Sequence, residues 1–92
     1  MATAVRLRIE GRVQGVGYRA WLEREARRQG LRGWVRNRRD GSVEALLIGA
    51  EAAVEAAIGA CARGPRLAGV TGVERYPEAD DGSAGFVSRP TI

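Results

Sequence analysis

Between Val5 and Glu10 apolar and charged residues alternate, with Val5, Leu7 and Ile9 set against Arg6, Arg8 and Glu10. A period of two predicts a strand with one buried face. Glycines at 11, 15 and 17 then break the alternation. Good helix formers over residues 19–29, with Leu22 and Ala26 at helical spacing, predict a first helix stopped by Gly30. Residues 31–38 and 43–48 read as two strands joined tightly at Asp40 and Gly41, hence an antiparallel hairpin. Val54, Ala57, Ile58 and Cys61 share one helical face and predict a second helix over 51–63, ended by Gly64 and Pro65. A fourth strand follows over 68–76, and 84–89 adds a short edge strand before Pro90. The order β-α-β-β-α-β predicts an α+β, ferredoxin-like sandwich: a mostly antiparallel sheet with two helices on one face. That architecture is widely shared, so function has to come from a site.

Composition narrows the choice. Ninety-two residues, 45% of them hydrophobic, suffice for one domain, expected to run over 1–92. No apolar stretch approaches the roughly 20 residues of a membrane span, and MATAVRLRIE alternates charge where a secretory leader would be apolar. A soluble, cytoplasmic protein without membrane association is expected. The lone cysteine, Cys61, cannot form an internal disulfide and falls on the apolar stripe of the second helix, which predicts a core position. With no histidine, the commonest metal ligand and general base are both missing, so zinc sites and histidine-dependent triads are excluded and no cofactor or metal is expected. The net charge of +4 comes from 15 arginines, with no lysine, against 11 acidic residues. Arginine grips phosphate bidentately but also binds nucleic-acid backbones, so charge alone leaves both partners open.

The segment GRVQGVGYR, residues 11–19, lies between a strand and a helix start, where free backbone amides and the helix dipole favour an anion. Gly15 and Gly17 allow the amides of Gln14, Gly15, Val16, Gly17 and Tyr18 to turn inward as a nest, and Arg19 adds a two-pronged charged contact. Taken alone, the glycines need only shape a tight turn, with Arg19 solvated. Gly15, Gly17 and Ala20 also match the dinucleotide fingerprint G-x-G-x-x-G/A, but a hairpin in place of repeated parallel βαβ units rejects it. Asn37, at the end of the second strand, offers a donor and an acceptor to a water molecule, or equally caps the Asp40-Gly41 turn.

GRVQGVGYR closely resembles the acylphosphatase signature G-x-V-Q-G-V-x-[FY]-R, and GWVRNRRDGSVE resembles the same family's second signature. The resemblance runs from the first strand through GPRLAGVTGV and weakens at FVSRPTI, which lacks the family's usual aromatic ending. It implies the same β-α-β-β-α-β order and hydrolysis of acyl phosphates to a carboxylate and inorganic phosphate, without a metal. By motif position it implies that Arg19 and the loop amides bind the phosphoryl group and that Asn37 orients the attacking water. The partners it implies are a small acyl phosphate as substrate and phosphate or other small anions as product or inhibitor; a monomer is the simplest expectation.

Two other readings stand beside it. A single-stranded RNA-binding module on this fold would stack bases on sheet aromatics, yet only Trp34 and Tyr76 are available outside the core-like Phe86, so no nucleic-acid partner is expected. A regulatory domain could retain the site without turnover, although the presence of both Arg19 and Asn37 argues against that. Asp80, Asp81, Ser42 and Ser88 read as solvated surface, and Arg24, Arg27, Arg28, Arg36, Arg38 and Arg39 as a basic surface that could steer anionic substrates at long range, although such runs are usually just solvated faces.

Overall fold

In β1 (Ala2–Arg12) the alternating pattern sends Val5, Leu7 and Ile9 into the core and leaves Arg6, Arg8 and Glu10 on the other side. The computed structural model describes residues 2–92, so the Met1 end of the expected domain lies outside the described residues. After β1 come α1 (Tyr18–Arg28), β2 (Arg32–Asn37), β3 (Val43–Ala50), α2 (Glu51–Cys61), β4 (Gly69–Pro77) and β5 (Phe86–Ser88). The strands form one sheet in the order β4-β1-β3-β2-β5. Among the described residues only the β2–β5 pairing is parallel.

Both helices cover one face. Leu22 and Ala26 of α1 and Val54, Ala57 and Cys61 of α2 close over Val5, Leu7, Ile9, Val35, Ala45 and Leu47 in a single apolar cluster. Cys61 is fully buried, as its place on the stripe predicts, and burial pushes its thiol up to about 12. No helix of the described residues is long and apolar enough to cross a membrane.

Element ends differ from the pattern where local bonding takes over. β3 runs on to Ala50 and meets α2 without a loop. α2 stops at Cys61, because the Arg63 and Gly64 amides both reach back to the Ala60 carbonyl and turn the chain out of the helix. The edge strand shrinks to three residues, Phe86–Ser88.

The opposite face of the sheet combines a small apolar cluster of Trp34, Leu46 and Ile48 with a cross-linked set of charges. Glu44, nearly buried, takes Arg36 at 2.7 Å and Arg6 and Arg38 each at 3.2 Å. Burial alone would raise its carboxyl; the Arg36 and Arg38 contacts outweigh that and hold it below the usual range. The 78–85 segment folds back along this face. Arg32 pairs with Asp80 and donates to the Ser83 carbonyl at 2.6 Å, and the Trp34 indole donates to Asp81 at 3.2 Å. Trp34 is buried there, with the Arg36 and Arg89 guanidinium groups 4.5 and 5.1 Å from its ring centre. Asp80 and Asp81 are thus exposed but engaged, where sequence suggested only solvated loop. Ser42 corrects the sequence expectation further: it is buried, its hydroxyl donating to Asp40 Oδ1 at 2.6 Å.

Candidate active site

The chain leaves β1 through Val13 and enters α1 at Tyr18, and both side chains are fully buried. Tyr18 is fastened twice: its hydroxyl donates to the Cys61 carbonyl at 2.7 Å, and its ring packs on Trp21 with centroids 5.3 Å apart. Burial raises the phenol far above its ordinary pKa, so it stays a neutral donor. Between these anchors Gly15 and Gly17 adopt φ of 73° and 79°. A Cβ at either would meet nothing within 4 Å, so glycine is demanded by the left-handed backbone alone.

This conformation leaves the amides of residues 14–20 without a carbonyl or side-chain acceptor among the described residues; the Trp21 amide makes the first bond, to the Gly17 carbonyl at 3.0 Å. The N-cap, Gly17, offers no side chain, and the first turn of α1 holds no acidic residue. The positive end of the helix is therefore uncompensated, as an anion site requires. Arg19 lies in that turn, partly buried, with no hydrogen bond or ion pair to any described residue. A run of free amides and a free guanidinium on one segment can grip a phosphoryl group from several sides.

Asn37 closes β2, opposite Val43. Its Oδ1 is buried and has no hydrogen-bond partner among the described residues. The turn-capping alternative fails for this residue, because Asp40 does that work, accepting the Ser42 amide at 2.9 Å and its hydroxyl. The Gln14 side chain ties the loop to the hairpin that follows Asn37. Its Nε2 donates to the carbonyls of Arg38 at 2.7 Å and Ser42 at 2.8 Å. Gln14 enters the sequence reading only through its amide; nothing in the spacing announces a side-chain bond across 24 residues.

The expected basic face is mostly spoken for. Arg27 pairs with Glu23 at 2.9 Å, Arg28 with Glu25 at 2.5 Å, and Arg36 and Arg38 with Glu44. Among the described residues of that set, Arg24 and Arg39 alone lack a carboxylate within ion-pair distance, so the steering field is weaker than the count of arginines suggests. Trp34 and Tyr76, the aromatics an RNA reader would need, are likewise engaged. Trp34 is buried, and Tyr76 carries the Arg6 guanidinium 4.4 Å from its ring centre.

The acylphosphatase family model matches residues 5–88. An acylphosphatase of Rhizobium etli is 59% identical over 71 residues, which cover 77% of this chain and 76% of that protein. One from Acidiphilium cryptum is 50% identical over 88 residues, covering 96% and 97%. Among solved structures, an acylphosphatase from Bacillus subtilis matches with a TM-score of 0.92 at 36% identity, over 97% of this chain and 99% of the other.

Proposed function

The chain belongs to the acylphosphatase family, a hydrolase of acyl phosphates, and from that premise we propose that Arg19 and the amides of Gln14, Gly15, Val16, Gly17 and Tyr18 hold the phosphoryl group while Asn37 orients the attacking water. The observation that carries this reading is the unbroken run of unpartnered amides from 14 to 20, ending in a helix start that has Arg19 and no carboxylate.

The chemistry needs little else. Water attacks phosphorus in line as the bond to the acyl oxygen breaks, and the carboxylate departs with that bond's electron pair. A carboxylate leaves well unprotonated, so no general acid is called for. Negative charge spread over the phosphoryl oxygens in the transition state meets donors already in place, which is where fixed dipoles lower a barrier most. The free Oδ1 of Asn37 accepts a hydrogen of the water and aims its lone pair at phosphorus. The water's proton passes to the phosphate product or to solvent.

The same reading makes inorganic phosphate a product inhibitor that competes for the cradle. It makes one chain, acting as a single domain and a monomer in the cytoplasm, the working unit, since every assigned group comes from within it. The test follows benzoyl phosphate hydrolysis in excess chelator for the native chain, Arg19→Ala and Asn37→Ala at matched folding. Chelator-resistant turnover is expected in the native chain and near inactivity in Arg19→Ala. In Asn37→Ala we expect a lowered kcat with phosphate inhibition unchanged; full turnover there would remove Asn37 from the mechanism.

A further inference from the structure

The two halves of the proposed site hang from strands that are not neighbours. The cradle follows β1 and Asn37 ends β2, with β3 hydrogen-bonded between the two. Roughly two strand spacings, about 10 Å, separate β1 from β2. Among the described residues, the Gln14 carboxamide is the side chain that bonds across this gap from the 14–20 segment to the hairpin mouth. Both hydrogens of its Nε2 are committed: one to the carbonyl of Arg38, the residue after Asn37, and one to that of Ser42, beside the partner of Asn37 in the register.

We propose that Gln14 is a positioning residue whose side chain fixes the separation between the phosphate cradle and the water held by Asn37. The proposal rests on the roles given above to Arg19 and Asn37. In-line attack tolerates little error in that separation, and a displacement of about 1 Å can cost on the order of 10²-fold in rate. The hairpin does not need Gln14 in order to form. Ser42 O also accepts the Arg38 amide at 2.9 Å, and Arg38 O accepts the Gly41 amide at 3.1 Å. Removing the carboxamide leaves neither carbonyl without a partner, so what is lost is alignment rather than the turn.

The test is a cycle of Gln14→Met, Asn37→Ala and the double variant, with kcat on benzoyl phosphate, the inhibition constant of inorganic phosphate and Tm measured for each. Gln14→Met is expected to lower kcat by roughly tenfold or more with phosphate inhibition within about twofold of native and a small drop in Tm. In the Asn37→Ala background the same change is expected to cost nothing further, because no aimed water remains to be misplaced. An undiminished kcat in Gln14→Met, phosphate inhibition that weakens in step with kcat, or a full additional loss in the double variant would each overturn the proposal. Unimpaired Asn37→Ala turnover is a different failure, that of the Asn37 assignment itself. Gln14→Asn, which keeps the carboxamide but is one methylene too short to hold both carbonyls, is read by the same criteria if the methionine variant unfolds.

Discussion

The fold passes twice from a strand into a helix, and the two passages are built in opposite ways. At the second, β3 ends at Ala50 and α2 begins at Glu51, with no loop and with a carboxylate in the first turn to face the dipole. At the first, residues 13–17 intervene, two left-handed glycines shape a loop whose amides have no acceptor among the described residues, and the first turn of α1 carries Arg19 but no acid. One helix start carries an acid to meet its dipole; the other carries none. Topology supplies two equivalent helix N-termini, and the loop and the choice of first-turn side chains set them apart; on the proposed reading these make one of them a site.

Substitutions that blur this difference should act in a definite order. The largest effect belongs to Arg19→Ala, expected to reduce benzoyl phosphate turnover by at least about 10²- to 10³-fold, by analogy with loss of one oxyanion donor. Its Tm should stay close to native, since Arg19 makes no ion pair or hydrogen bond with any described residue. Next comes Gly17→Ala, which meets no steric obstacle but places a Cβ at a φ of 79°. The strain, roughly 1–2 kcal/mol, should appear as a lower Tm or as phosphate inhibition weakened up to about tenfold, depending on whether the loop bears it or flattens.

Smaller still is Ala20→Glu, which gives α1 the first-turn acid that α2 already has. Ala20 is exposed, so the side chain is accommodated. KM and the phosphate inhibition constant should rise by roughly two- to fivefold, the equivalent of about 0.3–1 kcal/mol, and the effect should shrink as salt is added. The reciprocal change, Glu51→Ala, should be the smallest: a loss of about 0.3–1 kcal/mol in unfolding free energy with kcat unchanged. If Glu51→Ala also created measurable phosphate binding at α2, the loop would be irrelevant and the comparison would fail.

Much of this was readable before any coordinates. Alternation marked β1 because one face of it is core, and the stripe through Val54, Ala57 and Cys61 marked α2 for the same reason. The paired glycines pointed to a tight turn, and both adopt the left-handed backbone that asks for glycine. What stayed hidden was side-chain reach across the chain. The Tyr18 hydroxyl finds a carbonyl 43 residues away and the Gln14 amide finds one 24 residues away, and neither contact leaves a periodic trace. The burial of Trp34 and Ser42 was hidden likewise, because it depends on a segment near residue 80 folding over the sheet and on an aspartate at a turn. The engagement of several of the basic arginines is invisible along the chain, because the carboxylates that pair with them lie on the same helix face or across the sheet.

The interior place of β1, between β4 and β3, bears on how the chain is made. It is the first strand to be synthesised, yet its two neighbours come late: Ala2 pairs with Ala50, and Val5 with Pro77. The β3 edge of β1 stays unpaired until about half of the chain is available and the β4 edge until most of it is, so contact order is high and folding should be slow for a protein of this length. During translation the nascent N-terminal half would present an unpaired strand with an apolar face, the kind of surface that holdase chaperones recognise and that pairs wrongly with other copies.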